Sequence, residues 1–368
     1  MNNERRHLLK LTGASLAVAS MASIMTSPAL AQSDIAVSNQ WDKTFVKNKK
    51  VEHKKVMFKN RYGLVLVGDL YQPKNINGSL AAIVLSGPFG AVKEQSSGLY
   101  AQTLAARGFI TLAFDPSFTG ESGGEPRNVA SANINTEDFS AAVDFLGLQP
   151  NVDRDRIGVL AICGLSGMAL TAASSDSRIK AVATASMYDM SRSISRGYQD
   201  SYTLEERHKV IDYLSQQRWK DAKNGYYALG YHEVPFDNNN HIIEGQRVLP
   251  EVLPENAPPV LAAFFDYYRT PRGFHPRSIN STTAWTATTP MSFFNFPMYA
   301  NIEMISPRPI LLIAGENAHS RYYSEDVYKV ALAPKELLII PNTDHVDLYD
   351  NLNKIPFDKL TTFFQQNL

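Results

Sequence analysis

Short apolar runs recur along this chain with single helical patterns between most successive pairs, and that alternation constrains the fold more than any other feature. Ala81 to Leu85, Phe109 to Phe114, Arg156 to Ile162, Ile179 to Ser186, Pro309 to Ala314 and Glu336 to Ile340 read as strands covered on both faces. The intervening helical patterns are Leu99 to Arg107 with a stop at Gly108, Glu137 to Leu148, a segment from near Gly164, and Ser324 to Leu332. A last helix, about Phe357 to Gln366, turns Leu360, Phe363 and Phe364 inward. Such a pattern implies an α/β fold with a doubly wound, mostly parallel sheet. Ahead of it, Lys54 to Phe58 and Leu64 to Tyr71 flank Asn60-Arg-Tyr-Gly63 and predict an antiparallel hairpin. Ligands of these sheets bind beyond the carboxyl ends of the strands, so chemistry is sought after each one.

The first residues predict a different role. Arg5-Arg6-His7-Leu8-Leu9-Lys10 precedes an uncharged, mildly apolar segment, Leu11 to Thr26, closed by Pro28-Ala29-Leu30-Ala31. That is the pattern of an export signal over 1–31, cleaved after Ala31. Its paired arginines and interrupted hydrophobicity resemble a twin-arginine address, which implies a periplasmic protein. Residues 32–50 then read as a linker and 51–368 as one domain. No later stretch is apolar enough to span a bilayer, so stable membrane insertion is not expected once the signal is gone. Lys plus Arg and Asp plus Glu balance at 36 each, without a basic stripe. This excludes the electrostatic footprint of a nucleic-acid partner and leaves a small-molecule substrate as the expectation. The oligomeric state is not legible in the chain.

The single cysteine, Cys163, sits where the run from Arg156 to Ile162 stops and Gly164-Leu-Ser-Gly167 begins. One thiol forms no internal disulfide. A nucleophile on a strand-to-helix turn is exposed above the sheet and faces the amides that open the next helix, whose partial positive charge favours a thiolate. Ser86-Gly-Pro-Phe-Gly90 follows an earlier strand, and its glycines let backbone amides approach a reacting carbonyl; Phe89 and Gly164 are the expected oxyanion donors. After the last strand, Pro341-Asn-Thr-Asp344 delivers His345, a general base able to draw the thiol proton.

These residues resemble the α/β-hydrolase superfamily, and within it the dienelactone-hydrolase-like branch that carries cysteine in place of serine. The resemblance runs from about Met57 to the C-terminus. It rests on Arg156-Ile-Gly-Val-Leu-Ala-Ile-Cys-Gly164, Gly87-Pro-Phe-Gly90, Asp115-Pro-Ser-Phe-Thr-Gly-Glu-Ser-Gly-Gly124, Gly315-Glu-Asn-Ala-His-Ser320 and Asp344-His-Val-Asp-Leu-Tyr349. It implies an α/β-hydrolase fold, a nucleophile-base-acid site, and no cofactor.

The chain departs from the family twice. The family's elbow is small-x-nucleophile-x-small, and here Leu165 fills the last place. That makes Ser166, within Gly164-Leu-Ser-Gly-Met168, the alternative nucleophile, although register favours Cys163, which directly follows the strand. Where the family carries its acid, this chain has Ala318; Glu316 is the expected substitute, with Asp189 and Asp344 as alternatives. The glutamate that dienelactone hydrolases carry beside the oxyanion loop aligns with Gly87, which leaves Glu94 to be considered. Glu316-x-x-His319 and Asp344-His-Val-Asp347 lack the spacing and third ligand of a metal site, so no metal is expected.

At about 188–307 the alternation breaks, which in this superfamily implies a helical lid. Its aromatics, Trp219, Phe264, Phe265, Tyr267, Tyr268, Trp285, Phe293, Phe294 and Phe296, are expected to form the lid's own core, with some lining a pocket. The expected reaction is hydrolysis of an ester, lactone or thioester through an acyl-cysteine. An acyltransferase using the same intermediate, or a ligand-binding protein that kept the fold without the reaction, are the alternatives.

Overall fold

Continuous apolar strands bury both faces and demand helices on each side, and the computed structural model, which describes residues 40–368, has that arrangement. The strands are β1 (Val51–Lys59), β2 (Val65–Pro73), β3 (Leu80–Ser86), β4 (Ile110–Phe114), β5 (Val152–Ile162), β6 (Ile179–Ala185), β7 (Leu229–Gly230), β8 (Trp285–Thr286), β9 (Ile310–Gly315) and β10 (Lys335–Ile340). Eight of them form one sheet in the order β1-β2-β4-β3-β5-β6-β9-β10, while β7 and β8 pair separately. From β4 to β10 every neighbouring pair is parallel, and β2 runs antiparallel to both β1 and β4.

The helices are α1 (Ser96–Ala105), α2 (Ala132–Gly147), α3 (Ser166–Ser175), α4 (Met190–Arg196), α5 (Leu204–Asn224), α6 (Pro259–Arg269), α7 (Ile279–Thr282), α8 (Met291–Phe294), α9 (Arg321–Val330), α10 (Asp347–Asp350) and α11 (Phe357–Asn367). Alternation along the strands sorts the core into two layers. Ala82, Val84, Ile310 and Leu312 pack with Phe139 and Val143 of α2, Met168 of α3 and Val327 of α9. Ile83, Leu85, Leu311 and Ile313 pack with Tyr100 and Leu104 of α1 and Leu360 and Phe364 of α11. The helix α2 starts five residues before the expected Glu137, because Ser131 caps it by accepting the Ile134 amide.

Two expectations need correction. Residues 41–48, read as part of a linker, dock on the domain: the Thr44 amide donates to the Glu94 carbonyl and Lys43 reaches Asp69 at 2.7 Å. Trp219, assigned to a lid core, is 79% exposed on α5, whereas Tyr267, Tyr268, Trp285 and Phe293 are buried. The expected signal over 1–31 lies outside the described residues. No helix among the described residues is long and apolar enough to cross a membrane.

Candidate functional site

Five strands of the sheet end at one edge, and each hands a side chain or amide to the same cavity. That cavity, of about 450 Å³, lies between the strand ends and the segment inserted after β6. This is the size of a small-molecule site.

Cys163 follows β5 directly and opens a short 3-10 turn, Cys163–Leu165, that leads into α3. Its φ of +56° is the left-handed conformation of a sharp elbow, which costs about 1–3 kcal/mol at a non-glycine residue and is held here by surrounding structure. The Cys163 carbonyl accepts the Tyr188 amide at 3.0 Å, which ties the elbow to the chain leaving β6. Gly164 has no alternative: a Cβ there would stand 2.5 Å from Cβ of Phe89. Without one, the amides of Gly164 and Phe89 converge and both hydrogen-bond to the Cys163 sulfur. Leu165 does not crowd the turn, because its side chain leaves the cavity for the core beside α2 and α3. Ser166 is fully buried as the first residue of α3, and its hydroxyl donates to the Ala161 carbonyl at 3.1 Å. Cys163 lines the cavity and Ser166 does not.

The Phe89 loop, expected from sequence to supply an oxyanion donor, is braced from the inserted segment. Asn280 Nδ2 donates to the Phe89 carbonyl at 2.8 Å, Ser278 Oγ to the Gly90 carbonyl at 2.9 Å, and Trp285 stacks on the Phe89 ring at 4.2 Å. Shortly after the loop in sequence, Lys93 enters a buried ionic cluster. Lys93 Nζ meets Glu94 at 2.7 Å, Asp115 at 2.9 Å and Glu121 at 2.5 Å, while Arg277 reaches Glu94 at 2.8 Å and Asp42 at 2.6 Å. Burial pushes the Lys93 ammonium down, but the surrounding carboxylates outweigh it and hold the group above its ordinary range. Glu94 is thus occupied by cations and does not face the thiol.

His345, in the turn after β10, is buried and has a hydroxyl at each nitrogen. Ser320 Oγ is 2.6 Å from Nδ1, and the Tyr349 hydroxyl is 2.9 Å from Nε2. Gly315 makes this meeting possible, since the Thr343 carbonyl passes 2.2 Å from where its Cβ would be. The close approach lets the Asn317 amide donate to that carbonyl and brings the loop after β9 against the loop after β10. Glu316, expected as the acid, instead turns to the surface and accepts the Asn342 amide at 2.9 Å. Asp189 caps α4 and Asp344 is exposed, so none of the three proposed carboxylates touches the imidazole.

Tyr349 also hydrogen-bonds to the sulfur, and so stands between thiol and imidazole. Burial dominates both end groups. It pushes the Cys163 thiol up to about 11, against the opposing hydrogen bonds from Tyr349, Gly164 and Phe89, and holds the imidazolium of His345 well below its ordinary range. Burial thus opposes the thiolate expected from the helix N-terminus and favours a neutral thiol beside a neutral imidazole. His319, read from sequence only as a weak metal ligand, packs on His345 with ring centroids 4.7 Å apart and bonds through Nε2 to the Tyr188 hydroxyl at 2.5 Å. Burial brings it down to about 4. Among the described residues no group of three or more His, Cys, Asp or Glu side chains is placed to hold a metal ion.

Ser320 and Tyr349 both fall inside segments that carry the family resemblance, yet no role for them was read from sequence. The spacing His345-x-x-x-Tyr349 was the available signal. Glu233 and Asn280, in the inserted segment, had none.

Comparison with known proteins starts from this geometry. The uncharacterized protein PA2218 of Pseudomonas aeruginosa is 55% identical over 378 residues, spanning 100% of this chain and 97% of the relative. Its crystal structure superposes with a TM-score of 0.84 at 58% identity, over 90% of this chain and 98% of that one. The uncharacterized protein YcjY of Escherichia coli is 33% identical over 291 residues, 78% of this chain and 89% of the relative. This chain belongs to the family of PA2218 and YcjY. Residues 63–229 of this family member also match the X-Pro dipeptidyl-peptidase (S15) family. The α/β hydrolase GrgF from Penicillium shares the fold, with a TM-score of 0.68 at 18% identity over 86% of this chain and 99% of that one. A more local match is the thiohydrolase aneE of Aspergillus aculeatus, 34% identical over 135 residues, which cover 37% of this chain and 42% of the relative. The fold is that of the α/β hydrolases, with an antiparallel hairpin at its first edge.

Proposed function

We propose that this protein cleaves an ester, lactone or thioester through a covalent thioester on Cys163. The observation that carries the reading is the convergence, at one positive-φ elbow open to a cavity, of the thiol with the two amides of Phe89 and Gly164. Similarity to a thiohydrolase supports a thioester among the possible substrates.

In this mechanism His345 holds its proton on Nδ1, donated to Ser320, and accepts the Tyr349 hydroxyl proton at Nε2. As substrate binds, the thiol gives its proton to the Tyr349 oxygen while Tyr349 passes its own to Nε2. Tyr349 ends neutral, sulfur becomes the nucleophile, and the imidazole becomes cationic. Sulfur adds to the carbonyl carbon, and the oxyanion takes the two amide hydrogen bonds that the sulfur held. Collapse of the intermediate breaks the bond to the leaving alkoxide or thiolate, which recovers the proton from His345 along the same path. Water then adds to the thioester as His345 takes its proton, and the acid leaves with the thiol restored. Ser320 is a positioning residue; it orients the ring without a carboxylate's charge. From the sequence of residues 1–31 we further propose a twin-arginine exported, periplasmic location.

The test is intact-mass analysis during turnover of a slow thioester. An adduct of the acyl mass on wild type, absent from Cys163→Ala, supports the reading. Unimpaired hydrolysis by Cys163→Ala would overturn it, and product esters formed with added alcohols would redirect it to acyl transfer.

A further inference from the structure

The cavity wall is mostly apolar and aromatic, and its lining contains one carboxylate, Glu233, and neither lysine nor arginine. Glu233 lies in the inserted segment and accepts a hydrogen bond from the Ser193 hydroxyl. No Lys or Arg pairs with it among the described residues. The nearby Arg192 is spent on Asp200 at 2.6 Å and Asp326 at 2.8 Å. Half-buried at the cavity wall, this carboxylate is the natural counter-charge for a cationic group of a ligand.

A second set of groups points to the same ligand. Tyr188, Tyr198 and Phe264 present rings to this cavity, and aromatic faces attract cations. One buried polar atom in the wall, Nδ1 of His232, lacks a hydrogen-bond partner among the described residues.

We propose that Glu233 and the aromatic wall form a subsite for a positively charged group, a protonated or quaternary amine, carried on the acyl part of the substrate. This rests on the acyl-cysteine reading and narrows it to cationic acyl donors.

The experiment compares two acyl thioesters that differ only in ending with a trimethylammonium or its neutral tert-butyl isostere. The expected result is a kcat/KM ratio of about tenfold or more for the cation in wild type, falling to near unity in Glu233→Gln. A tenfold ratio corresponds to about 1.4 kcal/mol, within reach of one charge contact and an aromatic face. A wild-type preference for the neutral isostere, or a ratio unmoved by Glu233→Gln, overturns the proposal. Calorimetric binding of the two free acids to Cys163→Ala separates it from the catalytic reading. Tighter binding of the cationic acid that Glu233→Gln abolishes sustains the subsite even if turnover does not depend on Cys163, and equal binding of the two acids refutes it.

Discussion

Gly164→Ala tests whether the two converging amides do the chemistry assigned to them. The added Cβ would stand 2.5 Å from Cβ of Phe89, 3.0 Å from the Met190 sulfur and 3.2 Å from the Phe89 amide nitrogen. Ordinary carbon contacts begin near 3.5 Å, so the oxyanion loop and the elbow must part by about 1 Å. Met190 can yield through its flexible side chain. Phe89 cannot, because Asn280 and Trp285 hold it. A gap of that size removes one donor from the developing oxyanion, and losing one such donor costs a factor of about 10²–10³ in kcat, or about 3–4 kcal/mol. Overpacking adds about 1–3 kcal/mol of lost stability. Thioester hydrolysis followed by thiol release gives kcat and KM, and a thermal melt shows that the variant is folded. Gly147→Ala is the control, since its nearest neighbour is 3.7 Å away. A folded Gly164→Ala enzyme with kcat within threefold of wild type would refute the assignment of both amides.

Tyr349→Phe breaks the bridge between sulfur and imidazole, and kcat should fall by about 10² or more with little change in KM, as read by steady-state and burst kinetics. Iodoacetamide alkylation of the resting enzyme should quicken about tenfold per pH unit well past neutrality, because the thiol titrates near 11; a plateau by pH 7 would contradict the neutral resting pair. Acid should destabilise the fold through the histidines. His319 titrates near 4 when folded and near 6.5 when unfolded, so stability is intact above pH 6.5 and is lost as pH falls toward 4, by about 3 kcal/mol in full. Urea midpoints between pH 7 and 4.5 should show that slope, and His319→Asn should flatten it.

The sheet was legible because its strands are continuous apolar runs, a pattern that follows from burial on both faces and survives any change in the loops. The positions of Cys163 and His345 at the carboxyl edge of the sheet were legible for a related reason, since each follows such a strand. What failed were properties set by neighbours distant in sequence. Asp42 and Arg277, 235 positions apart, share one ionic cluster, and no local pattern announces it. Glu316 leaves the right strand end but on the solvent side, whereas Ser320, one turn onward, points inward. The thiol's protonation was misjudged because the helix N-terminus is readable from sequence while the depth of burial is not. Here burial wins over three hydrogen bonds.

Under the proposed acyl-cysteine mechanism, that burial sets where the catalytic advantage has to arise. A thiol that titrates near 11 resists ionisation at pH 7 by about 5 kcal/mol, and no carboxylate on His345 offsets the cost. A resting ion pair therefore contributes nothing. The oxyanion hole can match the deficit, since two preorganised amides at about 3 kcal/mol each come to roughly the same size. Preorganisation in turn requires a loop that does not relax, and the Phe89 loop is held by Asn280 and Ser278 and continues into the segment that the Lys93 cluster anchors. Buried ion pairs of that kind add little net stability, and their value is in fixing one geometry. On this view the charges in Lys93, Glu94, Asp115 and Arg277 never meet the substrate, yet they determine how well two backbone amides hold the charge that appears only in the transition state.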